Sequence, residues 1–520
     1  MTIDPVHYAR RWKTLAVLTL SLIIIGLDNT ILNVALPSLQ KEFGASASTL
    51  QWIVDAYLLV FAGFLLTAGT LGDRYGRKLA LQGGLLLFGG ASLAVLAVQN
   101  AGQLIAVRAV MGLGGALIMP ATLSIISNVF PREERAKAIG IWAAMASIGI
   151  GLGPLAGGLL LEYFDWTSVF MLNVPIAATA LLLGVRLVPR TRDPHPGAFD
   201  LVGATLSAAG LLAFVYPIIE APERGWTDPL MLGSFGLALA LGLAFVRWEL
   251  RCPEPMLDLS YLLDPRFSVA SMSIGVASFA LFGASFATTQ FLQDAKGYSA
   301  LEAGLAVTPL ALGLVLGAGS SAKLAARAGT TRVVAAGLVG LGALLAATLA
   351  WSPDMAYLPL GLWYFALAVT MGWVMAPATD SVMGSVPDEK AGVGSAMNDV
   401  TRQVGGALGT AVIGSLVSSI YASRVAGSVA TLPDAARTAA EDSIGKANAV
   451  ASTLPASAGA QLTHAAADAF TSALGLGFTA ASACAILGAL AAKRWLPAAH
   501  SERTGRAGLA AGATPEPQPA

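Results

Sequence analysis

The chain has 520 residues, of which 55% are hydrophobic and only 12% charged. Soluble domains carry about 25% charged residues, so an ordinary water-soluble globule is excluded. The formal net charge is zero, which gives no sign of a nucleic-acid partner. The two cysteines, Cys252 in a polar loop and Cys484 in an apolar run, offer neither a disulfide framework nor a metal cluster.

A membrane-spanning helix needs roughly 20 mainly apolar residues. Fourteen segments meet that demand. Six begin near Thr14, Thr49, Leu79, Gly102, Ala136 and Thr167. Two begin near Phe199 and Pro229. Six more begin near Arg266, Ala300, Arg332, Met355, Ser395 and Ala469. The first apolar run, Leu15 to Leu36, is too long for a signal-peptide core and reads as a retained helix. With the N-terminus placed inside, about 23 Lys and Arg fall on inner segments and about 6 on outer loops, the asymmetry expected of cytoplasmic loops. An even number of spans then puts both termini in the cytoplasm.

The expected fold is an all-α polytopic membrane protein with a six plus two plus six plan. Residues 1–190 form one six-helix bundle, 191–260 a two-helix insert with linkers, and 261–496 a second six-helix bundle. The outer segment 422–468 is long for a connection and rich in Ala and Ser. Pro433 and Asp434 mark a helix entry, and Pro455 would break a continuous helix. Two short helices, in 431–452 and 457–470, are therefore expected to form a hairpin over the outer mouth. Residues 497–520, dominated by Pro, Gly and Ala, are expected to be disordered.

Polar residues inside the spans carry the chemistry. "LDNTILNVALP" (27–37) sets Asp28, Asn29 and Asn33 in the first span. Asp28 lies about 13 Å below Pro37 at a rise of 1.5 Å per residue. Asp55 in span two and Arg108 in span four each lie about 9 Å below their outer starts. All three share a depth, and intramembrane charges normally face a partner or a cavity. A buried structural ion pair would also explain them. A carboxylate raised in pKa by burial and lowered by an arginine can load and release a proton. Asp28, Asp55 and Arg108 are thus the proton-coupling candidates, and Asp28, Asn33, Asp55 and Asp399 the substrate-cavity candidates. Asp399 and Arg402 share one helix face near the inner end of span thirteen, where an inner-surface ion pair is an equal reading.

"GTLGDRYGRK" (69–78) fills the loop between spans two and three. Gly69, Gly72 and Gly76 favour a tight turn, Asp73 can pair with an arginine, and Arg74, Arg77 and Lys78 also serve topology. "KLAARAGTTR" (323–332) is a degenerate echo with Ala326 in place of the aspartate, which suggests duplicated halves. "GIGLGPLAGG" (149–158) repeats Gly149, Gly153 and Gly157 every four residues, with Pro154 and Gly158 beside them. This gives a smooth face for a close helix and permits a kink. No G-x-x-x-x-G-K-[ST] loop, nucleophile triad or metal cluster is evident, so neither ATP nor an enzymatic reaction is expected.

The 69–78 loop resembles the signature of the major facilitator superfamily, and 149–158 resembles its antiporter motif. Together with "LDNTILNVALP", "DWTSVFMLNVPI" (165–176), "GYSALEAGLAVTP" (297–309) and "AGVGSAMNDVTRQVGGALGTAVIGSL" (391–416), they resemble the fourteen-span drug:proton antiporters of the QacA/EmrB type. The resemblance implies a major facilitator fold and proton-driven efflux of drugs or natural products. It further implies a bacterial cytoplasmic membrane, a functional monomer, no cofactor beyond the proton gradient, and a proton-coupling role for Asp28. It also implies that the 69–78 loop is a gate. This sequence departs from those exporters in span thirteen, where Asn398 and Asp399 stand, and in span ten, where Leu314 offers no carboxylate. A metabolite uptake carrier and a dedicated exporter of a self-made antibiotic remain as alternatives.

Overall fold

The computed structural model describes residues 5–192, 200–253, 255, 259–386 and 391–496; the tail expected to be disordered and parts of both inner linkers lie outside them. The described residues form helices and no strand. In chain order these are α1 (Pro5–Phe43), α2 (Ala47–Tyr75), α3 (Arg77–Ala94), α4 (Ala101–Val129), α5 (Arg132–Tyr163), the short α6 (Ser168–Met171) and α7 (Asn173–Leu187). Then follow α8 (Leu201–Arg224) and α9 (Pro229–Glu249). The rest are α10 (Pro265–Gln290), α11 (Ala300–Val307), α12 (Pro309–Ala328), α13 (Thr330–Ala347), α14 (Tyr357–Ser385), α15 (Ala391–Val429), α16 (Asp434–Asp442), α17 (Ile444–Thr453) and α18 (Ala456–Trp495). Thirteen helical segments are long and apolar enough to cross a membrane; α6 joins α7 in one of them and α11 joins α12 in another. The 32-residue α5, apolar over Ile148–Tyr163, supplies a fourteenth.

Helices α1 to α7 pack around one apolar core and α10 to α18 around a second. Glycine sets the closest approach in the first. A Cβ at Gly26 of α1 would stand 2.5 Å from the Ala146 oxygen of α5, and one at Gly149 only 2.8 Å from the Ile23 oxygen. Backbones that touch in this way maximise dispersion contact where lipid offers no hydrophobic drive. Pro154 cannot donate to the Ile150 carbonyl one turn earlier. Thr30 of α1 does so instead, through Oγ1 at 2.9 Å. The proline therefore does not leave a buried acceptor empty, and it fixes α1 against α5.

The same device joins the halves. Pro222 frees the Ile218 carbonyl of α8, and Ser415 Oγ of α15 donates to it at 2.5 Å. Trp52 Nε1 of α2 donates to Glu220 Oε1 of α8 at 2.9 Å. The insert thus touches one helix from each six-span set. Gly158 of α5 lies so close to α11 that a Cβ there would be 2.5 Å from the Ala300 oxygen.

The first helix continues through Pro37 to Phe43, beyond the apolar run Leu15 to Leu36. The outer segment breaks at Pro455 as expected, and α17 packs back against the start of α18, with Gly459 on the Ala451 carbonyl. The expected first helix is itself divided at Ser443, whose backbone is extended and whose side chain accepts from Lys446 N, giving α16 and α17. The second is not short: from Pro455 the chain enters α18, a 40-residue helix that absorbs the alanine-rich stretch. Alanine is the best helix former, and no Pro separates that stretch from the span that follows.

Candidate functional site

The centre of the first six-span set holds an ion pair sealed from every side. Arg108 Nη1 lies 2.5 Å from Asp28 Oδ2, and both residues are 1% exposed. Arg108 is satisfied further by the Ile53 carbonyl, which accepts from Nε at 3.2 Å. Its guanidinium also stacks 4.4 Å above the Tyr57 ring. Asn173 at the start of α7 donates from Nδ2 to Asp28 Oδ1 at 3.2 Å. Four elements, α1, α2, α4 and α7, thus converge on two charges. Burying such charges costs several kcal/mol each unless geometry and hydrogen bonds compensate. Here each carboxylate oxygen has its own donor.

Asp55 does not join this cluster. It is fully buried, and neither of its carboxylate oxygens has a hydrogen-bond partner. Equal depth concealed a difference of direction. Helix residues advance about 100° each, so Asp55 points roughly opposite to Ile53, which faces Arg108. On its own face of α2, Gln51 meets Ser415 of α15 and Gly63 meets Ala208 of α8. Asp55 lies between them, towards the insert and the second half.

Asn33 lines a small cavity of about 30 Å³ between the halves, with Thr30, Pro154, Ser285, Thr288 and Tyr364. Asp28, Asp55 and Asp399 do not line it. Asp399 is buried and pairs with Arg402 at 3.0 Å. α15 begins at Ala391, so the pair lies within its first turns, with Arg402 half-buried. Arg402 Nη2 reaches Met119 Sδ of α4 at 3.8 Å, across the interface between the halves. Asn398 accepts from Thr379 of α14 at 3.1 Å.

In the 69–78 loop, Gly76 takes φ +121°, a conformation closed to most residues, and lets α3 start one residue after α2 ends. Gly329 repeats this at φ +88° between α12 and α13. Asp73 Oδ1 pairs with Arg77 Nε at 2.6 Å. Arg77 N donates to the Thr191 carbonyl and Lys78 Nζ to the Val185 carbonyl, at 2.9 and 2.7 Å. Arg74 lies over Tyr75 at 5.9 Å, Gly69 packs on Pro120, and Gly72 on Ala80. The loop is docked on α7 within its own half. Gly153 and Gly157 face α1, as Gly149 does, while Gly158 faces α11.

A family description, Major Facilitator Superfamily, matches residues 18–410. The chain belongs to the Major Facilitator Superfamily. Among its relatives, the multidrug efflux pump LfrA of Mycolicibacterium smegmatis is 36% identical over 489 residues, 93% of this chain and 95% of that protein. The tetracenomycin C resistance and export protein of Streptomyces glaucescens is 32% identical over 93% of this chain and 91% of its own. The methyl viologen resistance protein SmvA of Salmonella typhimurium is 35% identical over 95% and 99%. A solved bacterial homologue of the human lysosomal transporter Spinster, inward-facing and unoccupied, superposes with a TM-score of 0.63 at 18% identity, over 94% of this chain and 99% of that one. That likeness concerns the fold. It agrees with the all-helical, many-span architecture of this superfamily member.

Sequence reasoning missed two parts of the site. Asn173 was visible as a lone amide beginning an apolar span in "MLNVPI". Tyr57 was visible as an aromatic one helical turn from Ile53. Neither signal names its partner, because the partners come from other helices.

Proposed function

We propose that this protein is a proton-coupled antiporter that exports hydrophobic, often cationic, drugs or natural products across a bacterial cytoplasmic membrane. The observation that carries the reading is the Asp28–Arg108 pair, buried across α1 and α4 in the middle of the first bundle. A stable scaffold has no need of it, since apolar residues of similar size in such a place are often neutral or stabilising. A proton on Asp28 would leave Arg108 held by the Ile53 carbonyl and the Tyr57 ring, which alters how α1 meets α4. The relatives named as efflux pumps, resistance proteins and an export protein support the export direction.

The two six-helix units rock about the interface where α2 meets α15 and α5 meets α11. The end opposite the 69–78 loop is the outer side. There Gln293 Nε2 of α10's continuation donates to the Val34 carbonyl at 2.8 Å, and Gln40 Nε2 donates to Ser443 Oγ at 2.7 Å. Asn448 of α17 donates to the Asp294 carbonyl at 2.8 Å. The first two bonds join α1 to the second half and the third fastens α17 to its own half, so that α16 and α17 cover the outer mouth. The carrier acts as a monomer, uses the proton gradient in place of a cofactor, and performs no covalent chemistry on its cargo. A dedicated exporter is the second reading, favoured by similarity to the tetracenomycin C export protein.

Inside-out vesicles test this directly. A pH gradient, acid inside, should drive ethidium into vesicles carrying the protein, and a protonophore should abolish the uptake. Accumulation indifferent to the gradient, or movement only in the opposite direction, would overturn the reading.

A further inference from the structure

A cavity larger than the one at Asn33 lies away from the central interface. It has a volume of about 640 Å³, inside the range of small-ligand sites, roughly 300–1,000 Å³. The insert forms one wall through Leu211 of α8 and Leu239 and Leu243 of α9. The two halves form the other through Leu66 of α2 and Met397 and Val404 of α15. Its lining is apolar apart from Ser207. The groove sits near the membrane face that carries the 69–78 loop: Leu66 is close to that loop, and the α9 wall ends at Val246, near the end of its helix.

Two arginines stand at the end of α9 that the groove approaches through Val246. Leu239, Leu243 and Arg247 follow one another at four-residue spacing, so they form one stripe along α9. Arg251 lies two residues beyond the end of α9, in the turn that follows it, with its N donating to the Trp248 carbonyl. Arg247 and Arg251 are exposed, and among the described residues neither has an ion pair or a side-chain hydrogen bond. Exposed Trp248 lies between them and donates from Nε1 to Asp200 Oδ1 at 2.8 Å, the placement of an interfacial aromatic. That bond and the one from Gly203 N occupy the same Asp200 oxygen, and buried Glu249, which has an interaction of its own, stands beside Asp200 at Gly203.

We propose that this groove binds one anionic phospholipid, its acyl chain between the insert and the two halves and its phosphate at Arg247 and Arg251. An apolar slot that ends in two unpaired guanidinium groups matches a molecule with a long apolar tail and an anionic head. Cations on this face also serve topology, but beside an apolar slot they favour an anionic head, and a cationic drug would meet them with the wrong sign. The lipid comes from the cytoplasmic leaflet, a point that rests on the orientation proposed above. One chain in this place touches α2, α15 and the insert together, so it bridges both moving halves.

The test uses the full chain in nanodiscs with photoactivatable phosphatidylglycerol or phosphatidylcholine, each carrying a diazirine near the chain terminus. Labelled peptides are then mapped. Crosslinks should fall within 206–214 and 239–246, with phosphatidylglycerol favoured on the order of 10-fold over phosphatidylcholine, as expected for two near-surface cations. R247Q/R251Q should bring that ratio towards one while keeping the crosslinks in place. Gly242→Trp should abolish labelling by both lipids; a Cβ at Gly242 meets no atom within 4 Å, so the side chain has room to enter the groove. Equal labelling by the two lipids in the wild-type chain overturns the proposal. So do crosslinks mapping elsewhere, or labelling displaced by ethidium and indifferent to the arginine changes, which would mark a drug path. Labelling reads binding without transport, so a failed efflux assay leaves this result interpretable.

Discussion

Asp28 and Asp55 lie on adjacent helices and are both buried, yet Asp28 is held by Arg108 and Asn173 while neither oxygen of Asp55 has a partner. The two carboxylates therefore differ in what their removal should do. Asp28→Asn leaves the Arg108 charge buried without a counter-ion. Breaking a buried pair from one side costs about 3–5 kcal/mol. The variant should lose at least ten-fold in proton-driven efflux and unfold at a lower temperature. The double variant D28N/R108Q removes both charges and should regain thermal stability without regaining efflux. Wild-type pumping by that double variant would make the pair structural.

Asp55→Asn should behave in the opposite way on stability. Among the described residues none hydrogen-bonds to Asp55, and an unpaired buried charge is costly. A neutral amide should hold or raise the melting temperature of the purified protein. Transport of cationic substrates should fall more than that of neutral ones. A melting temperature lowered as far as in Asp28→Asn would show that an ionised Asp55 stabilises the fold.

Gln40 and Ser443 provide a way to hold the outer mouth shut. The Gln40 amide and the Ser443 hydroxyl are 2.7 Å apart, on α1 and at the α16–α17 break. Cysteines at both positions, with Cys252 and Cys484 replaced by serine, should be bridged by a short bifunctional methanethiosulfonate reagent that spans the length of the lost glutamine side chain. Efflux should stop in the crosslinked protein and return with reductant. Normal efflux from fully crosslinked protein would remove this segment from the transport cycle.

The spans and the pairing depth of Asp28 and Arg108 were legible because both depend on periodicity along one chain. Fourteen apolar runs of sufficient length are an intrinsic property, and so is a rise of 1.5 Å per residue. Direction around the helix was also available for Asp55, since residues 53 and 55 point roughly 200° apart. What could not be read was which neighbour each face meets. Arg402 reaching Met119 and Ser415 reaching the Ile218 carbonyl depend on how the halves and the insert dock. The outer segment was misdivided for a related reason. Pro455 was a strong local signal and does break the helix, but a second break came at Ser443, whose extended backbone is supported by Gln40 from another helix.

Asp442 gives the outer cover a pH dependence with a definite sign. It sits at the end of α16, where burial pushes its carboxyl above the usual range, against the opposing effect of Lys446. Lys446 Nζ lies 2.9 Å away, Glu223 adds negative charge from the end of α8, and Glu441 and Tyr421 are close by. A carboxyl whose pKa is raised in the docked state favours docking when protonated. The contribution is complete below the ordinary carboxylate range and is lost as pH rises through the raised value. The cover should therefore dock more firmly in acid, the condition of the outer face when a proton gradient is imposed. Spin labels at Arg437 of α16 and at exposed Leu358 of α14 report this as a distance distribution. It should be narrow at acidic pH and broaden as pH rises through the Asp442 transition, whereas Asp442→Asn should stay narrow throughout. A distribution that broadens equally in the wild-type chain and in Asp442→Asn would place the titrating group elsewhere.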